Sequence, residues 1–155
     1  MPLKSLNKDA LHVFDVCGTL YTSNTTYDFY KFYFKRNNRK KYILFKLCFS
    51  LPAKIVWKIM SILHLSRHIR SFLIGFIKNE SVDLVFQEAE NFVKINLSKN
   101  KIPKSFSLLN KAISEDSSNV YLVSASIFPI INAISKENKN IPFFATELQI
   151  KDNHY

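Results

Sequence analysis

The chain has 155 residues, 47% of them hydrophobic and including 14 Phe and 7 Tyr, and it carries a formal net charge of +10. That length holds one domain with at most an inserted subdomain, and that apolar content is too high for a disordered chain. Its two cysteines, Cys17 and Cys48, form neither a disulfide framework nor a zinc-type spacing, and Met1 to Asp9 lacks the apolar run of a signal peptide, so a reducing cytoplasm is the expected compartment.

Leu11 to Phe14 is a short apolar run that stops on Asp15. It reads as a buried parallel strand, because it is closed by a breaker rather than continued at helical spacing. Asp15 then stands at the strand's carboxyl end, the edge where open α/β sheets bind ligands. Gly18 lets the backbone turn sharply, and Thr19 adds a hydroxyl beside amides that can hold an anion. The polar cluster from Thr22 to Thr26 predicts a helix start with Thr25 or Thr26 as N-cap. Tyr27, Phe29, Tyr30, Phe32, Tyr33 and Phe34 follow, so this helix must be buried or rest against something apolar. Lys35 to Lys41 reads as an exposed basic turn. Tyr42 to Leu65 carries two apolar stretches split by Pro52, with Trp57 as an anchor of their packing. Lys46, Lys54, Lys58 and the proline argue against a membrane span and fit a pair of basic amphipathic helices.

The charge is concentrated. Between Phe29 and Asn79 there are 12 Lys or Arg and no acidic residue. The preferred expectation is that these cations coat a helical insert or draw an anionic substrate towards it, with peripheral contact between residues 29–79 and an anionic membrane as the alternative. Nucleic acid is not expected as a partner, because no recognition motif accompanies the charge and the aromatics fall in apolar runs.

Asn79, Glu80 and Ser81 form a break with Ser81 as N-cap, after which Leu84, Val85, Ala89, Phe92 and Val93 recur at helical spacing. Pro103 opens a further helix with Phe106, Leu109 and Ile113 facing inward, closed by a turn at Glu115 to Asn119. Val120 to Val123 is a second buried strand ending at Ser124-Ala125-Ser126. A helix from Ile127 to Glu137 and a strand from Ile141 to Ala145 follow, and Leu148 to Ile150 reads as the opening of a fourth strand. His154 is expected to lie in a frayed end, His12 in a strand beside the core, and His64 and His68, four apart, have no carboxylate partner that would make them ligands. Short connections favour right-handed crossovers, so the second strand should pair with the first and bring Ser124 and Asp15 to one pocket.

The string Leu11-His12-Val13-Phe14-Asp15-Val16-Cys17-Gly18-Thr19-Leu20 resembles the first motif of the haloacid dehalogenase superfamily, an apolar strand followed by DxDGT. Val120-Tyr121-Leu122-Val123-Ser124-Ala125-Ser126 resembles its second, and the helical insert is similar to that of the phosphoserine-phosphatase-like branch. The resemblance implies an α/β protein with an incomplete Rossmann-like core of about three parallel strands, built from residues 1–24 and 103–155, and a helical cap at residues 25–102. It implies Mg²⁺-dependent phosphatase-type chemistry on a phosphorylated small molecule, with Asp15 as the nucleophile that forms an aspartyl-phosphate. Gly18, Thr19, Ser124 and Ala125 would hold the phosphate, with the amides of Ala125 and Ser126 at a helix start. Asp15 and the Cys17 carbonyl would bind the metal.

Cys17 departs from the pattern, standing where the family's phosphatases have an acid/base Asp. A thiol is a poor proton donor to an alkoxide, so turnover is expected to be impaired. The family's Lys and acidic-pair motifs would fall after Tyr155, and Lys151 and Asp152 do not match them, so the chain reads as the front part of an enzyme. The alternative function is a basic membrane-surface module without catalysis.

Overall fold

The structure, a computed structural model, describes residues 11–50, 58 and 66–155; the expected helix start at Pro52, the Trp57 anchor and His64 lie outside them, as does the side chain of His68. Strand β1 (His12–Asp15) is followed by helices α1 (Thr25–Asn37), α2 (Arg39–Cys48), α3 (Ser66–Gly75) and α4 (Val82–Ile95). A 3₁₀ turn at Leu97–Asn100 leads to α5 (Pro103–Asp116), β2 (Val120–Ile127), α6 (Phe128–Glu137) and β3 (Phe143–Thr146). The three strands form one parallel sheet in the order β1-β2-β3, with His12 opposite Val120 and Asp15 opposite Val123. Leu122 stands opposite Phe143, and the β2–β3 register shifts between Val123 and Ile127. The fold is α/β, an incomplete Rossmann-like core with inserted helices.

Strands taken in sequence order and joined by right-handed crossovers place both connecting helices on the same face of a sheet. Burial follows that rule: Val120, Leu122, Ser124 and Ser126 are buried, whereas Val13, Val123 and Phe144 on the other face are 54%, 40% and 64% exposed. Tyr121 stacks on Phe144 there, with centroids 6.3 Å apart. The first strand is therefore not buried on both faces as its apolar content predicts. It is an edge strand, starts at His12 rather than Leu11, and has one side bare.

Helix boundaries differ from expectation where side chains have other uses. The N-cap of α1 is Asn24, whose Oδ1 accepts from the Tyr27 amide at 3.3 Å. The basic stretch from Lys35 to Lys41 is not a turn: α1 runs to Asn37 and α2 starts at Arg39. Asn38 alone separates them, its amide donating back to the Phe34 carbonyl while its Oδ1 accepts from the Lys41 amide at 3.1 Å. Ser81 is the N-cap of α4, as expected, but its side chain makes no capping bond. The turn expected at Glu115 is displaced, since α5 continues to Asp116. Residues 148–150 form no strand, and Lys151 to His154 turn back on themselves with Asp152 and Asn153 in the left-handed region.

One hydrophobic cluster joins the inserted helices to the sheet. Phe29 and Phe92 meet edge to face at 5.7 Å, holding α1 to α4, and α4 packs along α6. Phe45 of α2 sits among Tyr30, Phe34 and Phe76. A buried polar node reinforces this layer: Glu80 accepts from the Tyr33 hydroxyl (2.9 Å), Asn38 Nδ2 (3.2 Å) and Lys41 Nζ (2.6 Å). The chain's last residues dock at the same place and are not frayed. Asn79 N donates to the Tyr155 carbonyl at 2.7 Å, Tyr155 N donates to the Glu80 carbonyl at 3.2 Å, and His154 bridges to Ser81.

Candidate functional site

After β1 the backbone makes one tight turn. Gly18 takes φ +76°, a conformation that side chains strain, and its amide donates to the Tyr21 carbonyl at 2.7 Å. Leu20 N and Tyr21 N both donate to the Val16 carbonyl at 3.1 Å. Val16, Leu20 and Tyr21 are fully buried, so the turn is pinned from beneath while its polar residues face outward. Thr19 Oγ1 donates to Asp15 Oδ2 at 2.9 Å, which orients the carboxylate at the strand tip.

Cys17 points into a group of hydroxyls. Its Sγ lies 3.0 Å from Thr25 Oγ1, 3.3 Å from Ser126 Oγ and 4.0 Å from Ser124 Oγ. Thr25 and Ser126 are themselves hydrogen-bonded across this cluster, and the Ser126 amide donates to Ser124 Oγ at 3.1 Å. Thr25 and Ser126 thus build the wall behind the thiol instead of capping helices. The structure also moves the amides of Ala125 and Ser126 off the helix start expected for them. β2 continues through Ile127, and α6 begins at Phe128 with Pro129 in its first turn, so both amides belong to the strand.

Asp15, Cys17, Ser124, Ala125 and Ser126 line one cavity of about 300 Å³. Asp15 and Ser124 therefore share a hollow at the carboxyl edge of the sheet, as paired neighbouring strands require. Gly18 and Thr19 are not among the residues that line it, and Thr19 reaches it only through its bond to Asp15. The opposite wall comes from the inserted helices and is apolar: Tyr30 from α1, Phe45 from α2, Phe49 just after it, and Leu73 from α3. Tyr27 packs edge to face on Phe49 at 4.4 Å and completes this wall. Among the described lining residues Asp15 is the one acidic side chain and none is basic.

The hydroxyls of Thr25 and Ser126 were the site residues hardest to find from sequence. Each is also a good helix-capping residue, and their positions lie 101 apart in the chain. Tyr27 and Tyr30 carried a signal, in an aromatic helix too apolar to face water on every side, whereas Phe45 and Phe49 fell in a stretch read only as part of a basic amphipathic helix pair.

Among the described residues no group of three or more His, Cys, Asp or Glu side chains could hold a metal ion. No helix of the described residues is long and apolar enough to cross a membrane.

No family model matches the chain, and no curated protein matches it. Among solved structures it is similar to a protein of unknown function from Bordetella pertussis Tohama I, with a TM-score of 0.66 and 15% identity. The match covers 94% of this chain and 64% of that one. At that identity the likeness is one of fold, an α/β core with inserted helices, and this chain spans 64% of the length of the protein it resembles.

Proposed function

We propose that the cavity takes a phosphorylated small molecule, with Asp15 as the acceptor of the phosphoryl group, in the manner of a haloacid dehalogenase-type phosphatase. The observation that carries this reading is the convergence of Asp15 and Ser124 on one hollow, with Asp15 oriented by Thr19. A carboxylate fixed at a strand tip beside a hydroxyl donor suits in-line attack on phosphorus, because phosphoryl transfer depends mainly on positioning and on hydrogen bonds to the equatorial oxygens. In that step an Asp15 oxygen forms a bond to phosphorus, the ester P–O bond breaks, and the leaving oxygen takes a proton from the Cys17 thiol or from water. The apolar wall from Tyr27 to Leu73 favours a substrate whose other end is greasy.

Two features limit the rate. Cys17 stands where the leaving oxygen needs a proton donor, and a thiol gives its proton to an alkoxide poorly. The described lining has no cation to neutralise the transferred charge. Mg²⁺ prefers near-octahedral oxygen coordination, and Asp15 with the Cys17 carbonyl does not complete such a set. The residues in place do not by themselves fit a resident ion. The proposed role is therefore phosphoryl binding with slow or absent turnover, in a reducing cytoplasm.

Beryllium fluoride tests the reading, since it mounts a phosphoryl mimic on an acceptor carboxylate. Wild-type protein incubated with it, with and without magnesium chloride, should gain thermal stability, and Asp15→Asn should not. A wild type that shows no shift under either condition sinks the assignment.

A further inference from the structure

Phe45 is the inward anchor of α2. At about 100° per residue, Ile43 and Leu47 stand on the opposite side of that helix, where they are 53% and 62% exposed, and Leu44 beside them is exposed as well. A surface helix ordinarily turns its outer face to water with polar side chains. Here the outer face is apolar and is bordered by exposed Arg39, Lys40 and Lys46.

Two of these cations have no use among the described residues that explains them, whereas Lys46 lies 5.8 Å from the centre of the Tyr42 ring and in the last turn of α2, where positive charge suits the dipole. Lys41 is engaged by Glu80 and by the carbonyls of Phe76 and Lys78, but neither Arg39 nor Lys40 pairs with a carboxylate among the described residues. Both sit in the first turn of α2, which has no acidic residue and where positive charge opposes the helix dipole. They therefore weaken the helix that carries them. The sequence on both sides adds to the same sign, with 12 Lys or Arg and no Asp or Glu between Phe29 and Asn79.

We propose that the outward face of α2 docks on an anionic lipid bilayer, with Ile43, Leu44 and Leu47 entering the headgroup layer and Arg39, Lys40 and Lys46 resting on lipid phosphates. Charge complementarity selects this occupant. A nucleic acid would satisfy the cations but leave the three aliphatic side chains in water, whereas a bilayer surface offers negative charge and an apolar layer within a few ångströms of each other. The attachment is to the surface, in keeping with the lack of a spanning helix among the described residues. It is independent of chemistry in the cavity.

The test is flotation of the full chain with phosphatidylcholine vesicles, plain or containing about one third phosphatidylglycerol. The protein should float with the anionic vesicles and stay at the bottom with the plain ones, and raised salt should weaken the binding. Each cation removed should lower partitioning about fivefold, so Arg39→Gln with Lys40→Gln lowers it by about 25-fold. Ile43→Glu with Leu47→Glu should abolish flotation while leaving the circular dichroism spectrum and melting temperature unchanged, because both positions are exposed. Failure to float with anionic vesicles, equal flotation with both, or indifference to both double variants overturns the proposal.

Discussion

Replacing Glu80 with Ala removes the carboxylate that ties α1 to α2, while the backbone carbonyl that accepts from the Tyr155 amide stays. Tyr33 is fully buried, and its hydroxyl would lose its partner, a loss of about 1–3 kcal/mol. Lys41 keeps the Phe76 and Lys78 carbonyls at 3.1 and 2.6 Å, and its side chain is 27% exposed, so loss of its ion pair adds only about 1 kcal/mol. Asn38 loses one neutral–charged bond but still caps α2, adding about 1 kcal/mol. The total of about 3–5 kcal/mol is a large part of the 5–15 kcal/mol that holds a typical domain. Glu80→Gln keeps the shape and an acceptor, and should lose about half as much. Urea unfolding followed by circular dichroism measures both. A Glu80→Ala protein within about 1 kcal/mol of wild type would show that the node is not buried or not bonded as described. The same variant should loosen the cavity wall, since α2 carries Phe45 and leads to Phe49.

Four further outcomes are expected. Cys17→Asp, with Thr25 and Ser126 hydroxyls ready to hold the new carboxylate, should raise hydrolysis of an alkyl phosphate by about 10²–10⁴-fold and of an activated aryl phosphate much less, because only the poor leaving group needs a proton; equal effects on both substrates would refute the role given to position 17. Thr25→Val should destabilise by about 1–3 kcal/mol in urea titrations, because the buried Ser126 hydroxyl is left with only the weakly bonding Cys17 thiol as a side-chain partner. Burial raises the phenols of Tyr21 and Tyr155 to about 12, and burial also raises Tyr30 and Tyr33, the latter helped by the Glu80 carboxylate. Their folded-state values lie above the unfolded one, so the stability they contribute is complete below about pH 10 and is lost as pH climbs through the folded values; melting temperatures recorded from neutral to strongly alkaline pH should stay level and then fall. Val123→Lys and Phe144→Lys on the bare sheet face should reduce self-association seen by light scattering while changing stability by no more than about 0.5 kcal/mol.

Much of the core is legible without coordinates. Apolar runs that reach Asp15 and Ser124 mark where two strands arrive at the cavity, and a right-handed crossover lays those strands side by side, although the second runs on to Ile127. Pro103 marks the start of α5 for the same local reason, a fixed φ with no amide to satisfy. The bare face is not legible, because an apolar strand reads alike whether helices cover both of its sides or one; the winding of α5 and α6 decides it. The basic stretch 35–41 misleads because Lys and Arg are good helix formers, and Asn38 needs just one residue to end one helix and start the next. Docking of His154 and Tyr155 against Glu80 has no local signature at all, being made by backbone groups far apart in sequence.

The pairing of His12 with Val120 has a kinetic side. The strand bearing Asp15 finds its one ladder partner among the described residues on the order of 100 residues later, after all the inserted helices. Loop closure grows only logarithmically, so the insert weakens that pairing little at equilibrium, but contacts of such long range form slowly. Helices α1 to α4 and the local β2–α6–β3 unit can consolidate first, leaving the acceptor carboxylate among the last groups to reach its place.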